Sequence, residues 1–193
     1  MLLVTSTSWT PDEDIGLLLD AVASLDTRLR ETGASGRRLL VVITGKGPML
    51  ADTLPRLRRM NETLSRAEIR SVWLEAADYP RLLGSADVGV SLHTSSSGLD
   101  LPMKIVDMFG CKLPVCAISF RCLGELVQHE VNGYVFTTAE QLADQLFSLV
   151  TDLDSGSSRL TAMRSSISMP SWAESWGSIA LPFFQSFTAT PSS

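Results

Sequence analysis

Organised positive charge is what this sequence most clearly lacks. Its 16 lysines and arginines are scattered and outweighed by 21 acidic residues, for a net charge of −5. A chain that grips a phosphate backbone gathers cations on one face, so nucleic acid is not an expected partner. Cysteine is scarce: Cys111, Cys116 and Cys122 are odd in number and lack the paired spacing of a zinc site. They are expected to be small, buried, free thiols in a reducing compartment. No apolar run approaches the roughly 18–20 residues of a membrane span. The opening Met1-Leu2-Leu3-Val4-Thr5 is too short for a signal-peptide core and has no basic flank, so this stretch of chain is expected to be soluble. Internal repeats and low-complexity tracts are also missing.

What is present is a regular alternation. At 193 residues and 45% hydrophobic, the chain can bury one sizeable core. Short runs rich in Val, Ile and Leu lie at Leu2 to Val4, Leu39 to Ile43, Ile69 to Leu74, Val88 to Leu92, Leu113 to Ile118 and Gly133 to Phe136; these read as buried parallel strands. Between them, helical periodicity spans Asp14 to Arg30, Met49 to Ser65, Tyr79 to Ser85, Pro102 to Cys111, Gly124 to His129 and Ala139 to Leu153. The first of these puts Ile15, Leu18, Leu19, Val22 and Leu25 on one stripe. The pattern predicts an α/β fold, a Rossmann-like doubly wound parallel sheet. Residues 1–168 are read as this domain, with Ser155 to Ser168 as a polar linker at its end. Residues 169–187, containing Trp172 and Trp176, are read as a C-terminal helix, and 188–193 as an unstructured tail.

Ligands of such sheets sit beyond the carboxyl ends of the strands, where the loops here are rich in Ser, Thr and Gly. Ser8 lies in the first of them. Lys46 lies in Gly45-Lys46-Gly47-Pro48, a G-x-G turn that does not complete a dinucleotide fingerprint, because Leu50 stands where the third glycine would be. The turn could face a ligand or merely connect strand to helix. Thr94 to Gly98, with Ser95, Ser96, Ser97 and Gly98, followed by Leu99 and Pro102, is more specific. Pro102 suits a first helical turn, so a helix should begin near Leu101 and aim its N–H groups and positive dipole end at that loop, with Lys104 adding a full charge for a diphosphate. The alternative is a helix capped by Asp100 with Lys104 in water. Asp107, one turn further on, could accept the two hydroxyls of a ribose or serve as a surface pair. His93 could donate to a phosphate or pack as a structural residue. Asp12-Glu13-Asp14 opens a helix and fits capping and dipole neutralisation better than a metal site, so no metal is expected.

These segments also carry a resemblance. Trp73-Leu74-Glu75-Ala76, Asp78-Tyr79-Pro80, Leu82 to Asp87, Leu92 to Lys104 and Val106 to Cys111 resemble the chitobiosyldiphosphodolichol beta-mannosyltransferases, with support from Ser6 to Thr10, Thr44 to Pro48 and Asn132-Gly133. The likeness runs over residues 2 to 185. It implies the C-terminal half of a GT-B glycosyltransferase and GDP-mannose as donor substrate, with no cofactor and no essential metal. It further implies inverting transfer of the first mannose to a dolichyl-diphosphate chitobiose at the cytosolic face of the endoplasmic reticulum. Related retaining enzymes carry a Glu-x7-Glu pair; here the second position falls on Asp107 and the first on Leu99, beside Asp100. Their Arg and Lys clamp after the first strand falls on Ser8 and Glu13, which shifts the diphosphate to Lys46, Lys104 and the helix N-terminus. The acceptor-binding half, its membrane anchor and any catalytic base are expected in the family's N-terminal part. The rival expectation is a catalytically incomplete paralogue that binds nucleotide sugar or pairs with another transferase subunit; alone, this piece would be cytosolic.

Overall fold

In a computed structural model, residues 1–188 are described apart from positions 35, 95, 96, 98, 157 and 158. Six strands, β1 (Leu2–Ser6), β2 (Leu39–Thr44), β3 (Ala67–Val72), β4 (Val88–Ser91), β5 (Val115–Ile118) and β6 (Gly133–Phe136), form one sheet in the order β3-β2-β1-β4-β5-β6. Every neighbouring pair is parallel. The order reverses between β1 and β4, so a crevice opens beyond their carboxyl ends, where doubly wound sheets bind ligands.

Side chains alternate across each strand, which splits the core into two layers. On one face, Leu3, Val41, Ile43, Val90 and Cys116 meet α1 (Ile15–Thr32), α2 (Leu50–Thr63) and α5 (Ala139–Ser155). On the other, Val4, Val115 and Ala117 meet α3 (Tyr79–Ser85) and α4 (Met103–Gly110) through Leu83, Ile105, Met108 and Phe109. The predicted stripe on α1 is buried in full, and Asp14 caps that helix by accepting from Leu17 N–H at 3.3 Å.

Several expectations are corrected. Gly124 to His129 is not a helix: a single 3₁₀ turn covers Leu123–Glu125, and the Asn132 amide then bonds Leu126 C=O and Gln128 N–H, giving that backbone a non-helical solution. The expected linker contains α6 (Arg159–Ser166). Leu160, Met163 and Ile167 are buried at helical spacing among its serines, a narrow apolar stripe that composition hides. Strand β3 starts two residues earlier than expected because the buried Asp26 carboxylate accepts N–H bonds from Arg66 at 2.6 Å and Ala67 at 2.8 Å. Of the thiols only Cys116 is buried, which pushes it up to about 12; Cys111 and Cys122 are half-exposed, and all three are free.

The C-terminal region, α7 (Trp172–Ser175), a wider π turn (Trp176–Ala180) and α8 (Leu181–Thr188), follows one after another. Thr188, expected in the tail, belongs to α8, and 189–193 lie outside the described residues. Trp172 stacks on Trp176 and Trp176 on Phe184, yet Trp172, Ile179, Phe183 and Phe187 are each at least 60% exposed. An exposed aromatic patch of this kind favours association. The chain is expected to self-associate at moderate concentration, and truncation after Pro170 should lessen this while the sheet keeps its cooperative melt. Light scattering on both forms checks it; unchanged association after truncation would place the sticky surface elsewhere.

Candidate functional site

The crevice is built by two loops locked together. After β1 the chain pairs once more, Thr7 N–H to Thr44 C=O at 2.9 Å. Trp9 then turns into the left-handed region at φ 51° with its indole buried, a conformation uncommon for a large side chain. Its indole N–H reaches Gly45 C=O at 3.2 Å, and Met49 N–H returns to Trp9 C=O at 3.1 Å. The opposing glycines permit this approach. A Cβ at Gly45, whose φ is 138°, would stand 1.8 Å from Thr7 O, and one at Gly47 would stand 1.7 Å from Ser8 O. Both glycines of the G-x-G turn are therefore occupied by loop-to-loop packing.

Glu13 binds the same loop from the other side. It is buried, accepts from Thr7 Oγ1 at 2.8 Å and Ser8 N–H at 2.8 Å, and pairs with the Lys104 ammonium. The capping role expected of the acidic run is thus divided: Asp14 caps α1, whereas Glu13 turns inward. An isolated bridge joins Glu13 to His93, and Thr94 Oγ1 donates to Asp12 C=O at 3.1 Å, so the loop after β4 is strapped to the loop after β1.

Three hollows adjoin along this rim. The first, about 300 Å³, lies between Ser6, Thr7, Gly45, Trp73, Leu74 and Tyr79 and reaches Ser8 and Lys104. The second, also about 300 Å³, shares Ser8 and Lys104 and is closed by Asp12, His93, Asp100 and the start of α4. The third, about 360 Å³, shares Tyr79 with the first and holds Asp107 beside Leu83, Val106 and Cys111. Lys104 and Asp107 therefore face neighbouring hollows, not one common space. Helix α4 begins at Met103, with Pro102 as an extended N-cap at ψ 110°, two residues later than the sequence suggested.

Lys46 holds its ammonium 4.0 Å above the Trp73 ring, a cation–π contact at the mouth of the first hollow. His93 Nε2 and Asp100 Oδ2 are 2.9 Å apart, and Ser97 Oγ donates to Asp100 Oδ1 at 3.2 Å. Leu99 is 64% exposed, and its N–H donates to Ser97 Oγ. Ser95, Ser96 and Gly98 lie outside the described residues. Hydrogen bonding to Thr10 holds the Asp12 carboxyl below its ordinary value. Tyr79 shares a 2.9 Å bond with Ser6 Oγ, and burial raises its phenol. Withdrawal from water also raises the Asp107 carboxyl. Among the described residues no cluster of three or more His, Cys, Asp or Glu could hold a metal ion, and no helix is long and apolar enough to cross a membrane. Sequence reasoning missed Trp9 and mis-cast Glu13; the signal for Trp9 was a large aromatic between Ser8 and Thr10 in an otherwise small-residue loop.

The raised Asp107 sets up a two-sided prediction. A carboxyl whose folded pKa exceeds its unfolded value favours folding while protonated, and that contribution is lost as pH rises through the folded value. At neutral pH the ionised Asp107 is thus a burden on stability. Asp107→Asn should leave the melting temperature unchanged or higher, while GDP affinity falls by roughly 1–2 kcal/mol through loss of a charge-assisted acceptor. Thermal melts and calorimetry check both halves; unchanged affinity would leave Asp107 with no part in binding.

The chain is similar to known proteins in sequence and in fold. A human chitobiosyldiphosphodolichol beta-mannosyltransferase is 50% identical over 184 residues, covering 94% of this chain and 39% of that protein. The "UDP-glycosyltransferase TURAN" of Arabidopsis thaliana is 45% identical over 197 residues, covering 94% and 42%. The chain thus spans about two fifths of the length of these relatives. In fold it is similar to the C-terminal domain of a glycosyl transferase group 1 family protein, LpcC, from Francisella tularensis, with a TM-score of 0.61 at 14% identity over 86% of this chain and 80% of that one. The sheet is that of the Rossmann-like C-terminal half of GT-B glycosyltransferases. Residues 1–152 match the family described as glycosyl transferases group 1, and the chain belongs to that family.

Proposed function

We propose that this chain is the donor-binding half of a beta-1,4-mannosyltransferase that adds the first mannose to dolichyl-diphosphate chitobiose, with GDP-mannose as donor. The observation that carries the reading is Lys104 at the start of α4, shared by two adjoining hollows at the switch point. An apolar slot walled by Trp73, Leu74 and Tyr79 suits the nucleoside, with its ribose hydroxyls turned past Tyr79 toward Asp107, and Lys104 with the start of α4 suits a diphosphate. As the glycosidic bond breaks, negative charge grows on the leaving diphosphate. A cation and a helix N-terminus already in place favour that state without reorganisation, and neither requires a metal. Lys46 stands at the mouth of the nucleoside slot and His93 closes the diphosphate hollow, so each would meet the donor. The names of the relatives support the acceptor and the sugar; one of them is named for UDP-sugars, so the base is part of what must be tested.

A second reading, a partner of another transferase subunit, is favoured by the exposed aromatic side chains of Trp172, Phe183, Phe184 and Phe187. Mannose transfer from GDP-mannose to a chitobiose-diphosphate lipid separates the two. It should be measured with this chain alone and with the chain fused to the N-terminal part of a relative. Transfer restored by fusion supports the donor-half reading. Failure of a folded fusion that carries the relative's own catalytic residues would sink it.

A further inference from the structure

Within the reading that this rim binds a nucleoside diphosphate, we infer that Glu13 attenuates the site's grip by holding Lys104 and taking up part of its charge. Four observations carry this. The Glu13 side chain is 2% exposed and Lys104 27%, so the pair is shielded from the water that would otherwise screen it. Lys104 borders both the base hollow and the diphosphate hollow. It is the cation nearest the start of α4, being that helix's second residue. Glu13 is itself held by Thr7 Oγ1 and Ser8 N–H, so swinging its carboxylate aside for a ligand would break both bonds.

A diphosphate entering beside Lys104 must therefore share the ammonium with a carboxylate already bound to it. Glu13 fixes where the ammonium points and lowers the attraction it can offer. Such a balance suits a transferase, whose charged product has to leave after each turnover. Two further carboxylates, Asp12 and Asp100, face the same hollow; Asp100 is engaged by His93 and Ser97, and both remain in the variants below.

The test separates charge from scaffold. Glutamine at position 13 keeps the oxygen that accepts from Thr7 and Ser8, removes the charge, and turns toward Lys104 an NH2 that cannot accept from its ammonium, so the lysine is released while the loop keeps its bonds. Binding of GDP and of guanosine is measured by calorimetry for the unaltered chain, Glu13→Gln, and the double variant Glu13→Gln with Lys104→Met. Attenuation predicts that Glu13→Gln binds GDP about tenfold more tightly with guanosine unchanged, because only the phosphates feel the charge. The double variant should give that gain back and lie within about threefold of the unaltered chain, since both charges are gone. A fall in GDP affinity with guanosine unchanged would show that Glu13 only positions the lysine and would overturn attenuation. Equal losses for GDP and guanosine would reduce Glu13 to a strut of its loop. If Glu13→Gln lacks a cooperative melt, the double variant decides: a loss of about tenfold or more for GDP overturns the inference. An unaltered chain that binds neither GDP nor UDP would instead defeat the nucleotide reading on which this one rests.

Discussion

Gly45→Ala is expected to lower stability by about 3–5 kcal/mol, combining backbone strain with overpacking. At φ 138° the residue occupies a region open to glycine, and its new Cβ would meet Thr7 O at 1.8 Å and Thr7 C at 2.9 Å. Neither atom can yield, because Thr7 is tied to Thr44 by a 2.9 Å backbone bond and its hydroxyl is held by Glu13. For a chain of this length that cost corresponds to a fall of roughly 10 °C or more in melting temperature. Separation of the loops would also open the base hollow, so GDP binding should disappear before the sheet itself melts. Gly84→Ala is the control: it sits in α3 with nothing within 4 Å of a new Cβ, and should stabilise by about 0.5–1 kcal/mol. Thermal melts of the two variants check the pair. Equal effects would mean that the loop contact does not constrain the fold.

Lys104→Met is expected to weaken binding directly, through the phosphates, and also to be costly for folding. It leaves the Glu13 carboxylate buried with no cation, and stranding one member of a buried pair costs about 3–5 kcal/mol in general. Thr7 Oγ1 and Ser8 N–H still donate to it, and Lys104 is partly exposed, so the loss here should be nearer 2–3 kcal/mol. GDP affinity should fall about tenfold or more, since the attraction is removed and the repulsion of Glu13 is unmasked. Adding Glu13→Gln should restore most of the stability. Denaturant titrations of the two single variants and the double form a cycle that measures the coupling. Additive losses would show that the two side chains act independently.

The alternation of strands and helices was legible because the strands other than β3 are buried on both faces and the helices packed on the sheet are buried on one, so composition and periodicity carry the signal. The stripe from Ile15 to Leu25 and the strand Gly133–Phe136 were readable directly. Elements fixed by a single side chain were not. Asp26 decides where β3 begins, and Asn132 decides that no helix follows Leu126, yet both look like ordinary surface polar residues in a sequence. The position of the site could be read from topology, since the loops after β1, β2 and β4 are rich in small residues. Its charge balance could not. Lys104 stood out as a cation near a helix start, but its partner is 91 positions away in the chain, and no local pattern distinguishes Glu13 from Asp12 and Asp14 on either side of it. The glycines at 45 and 47 pointed to a close approach; what approaches is the Thr7-Ser8 backbone.

The claim on which everything else depends is that the rim at the β1–β4 switch point binds a nucleoside diphosphate through its phosphates. Calorimetric titration of this chain with GDP, UDP and guanosine, in the presence of a chelator, tests it most directly. The account predicts measurable GDP binding without a divalent ion, guanosine weaker by about tenfold or more because the phosphate contacts are missing, and GDP preferred over UDP. Equal affinity for GDP and guanosine, or binding that requires a divalent ion, would contradict it.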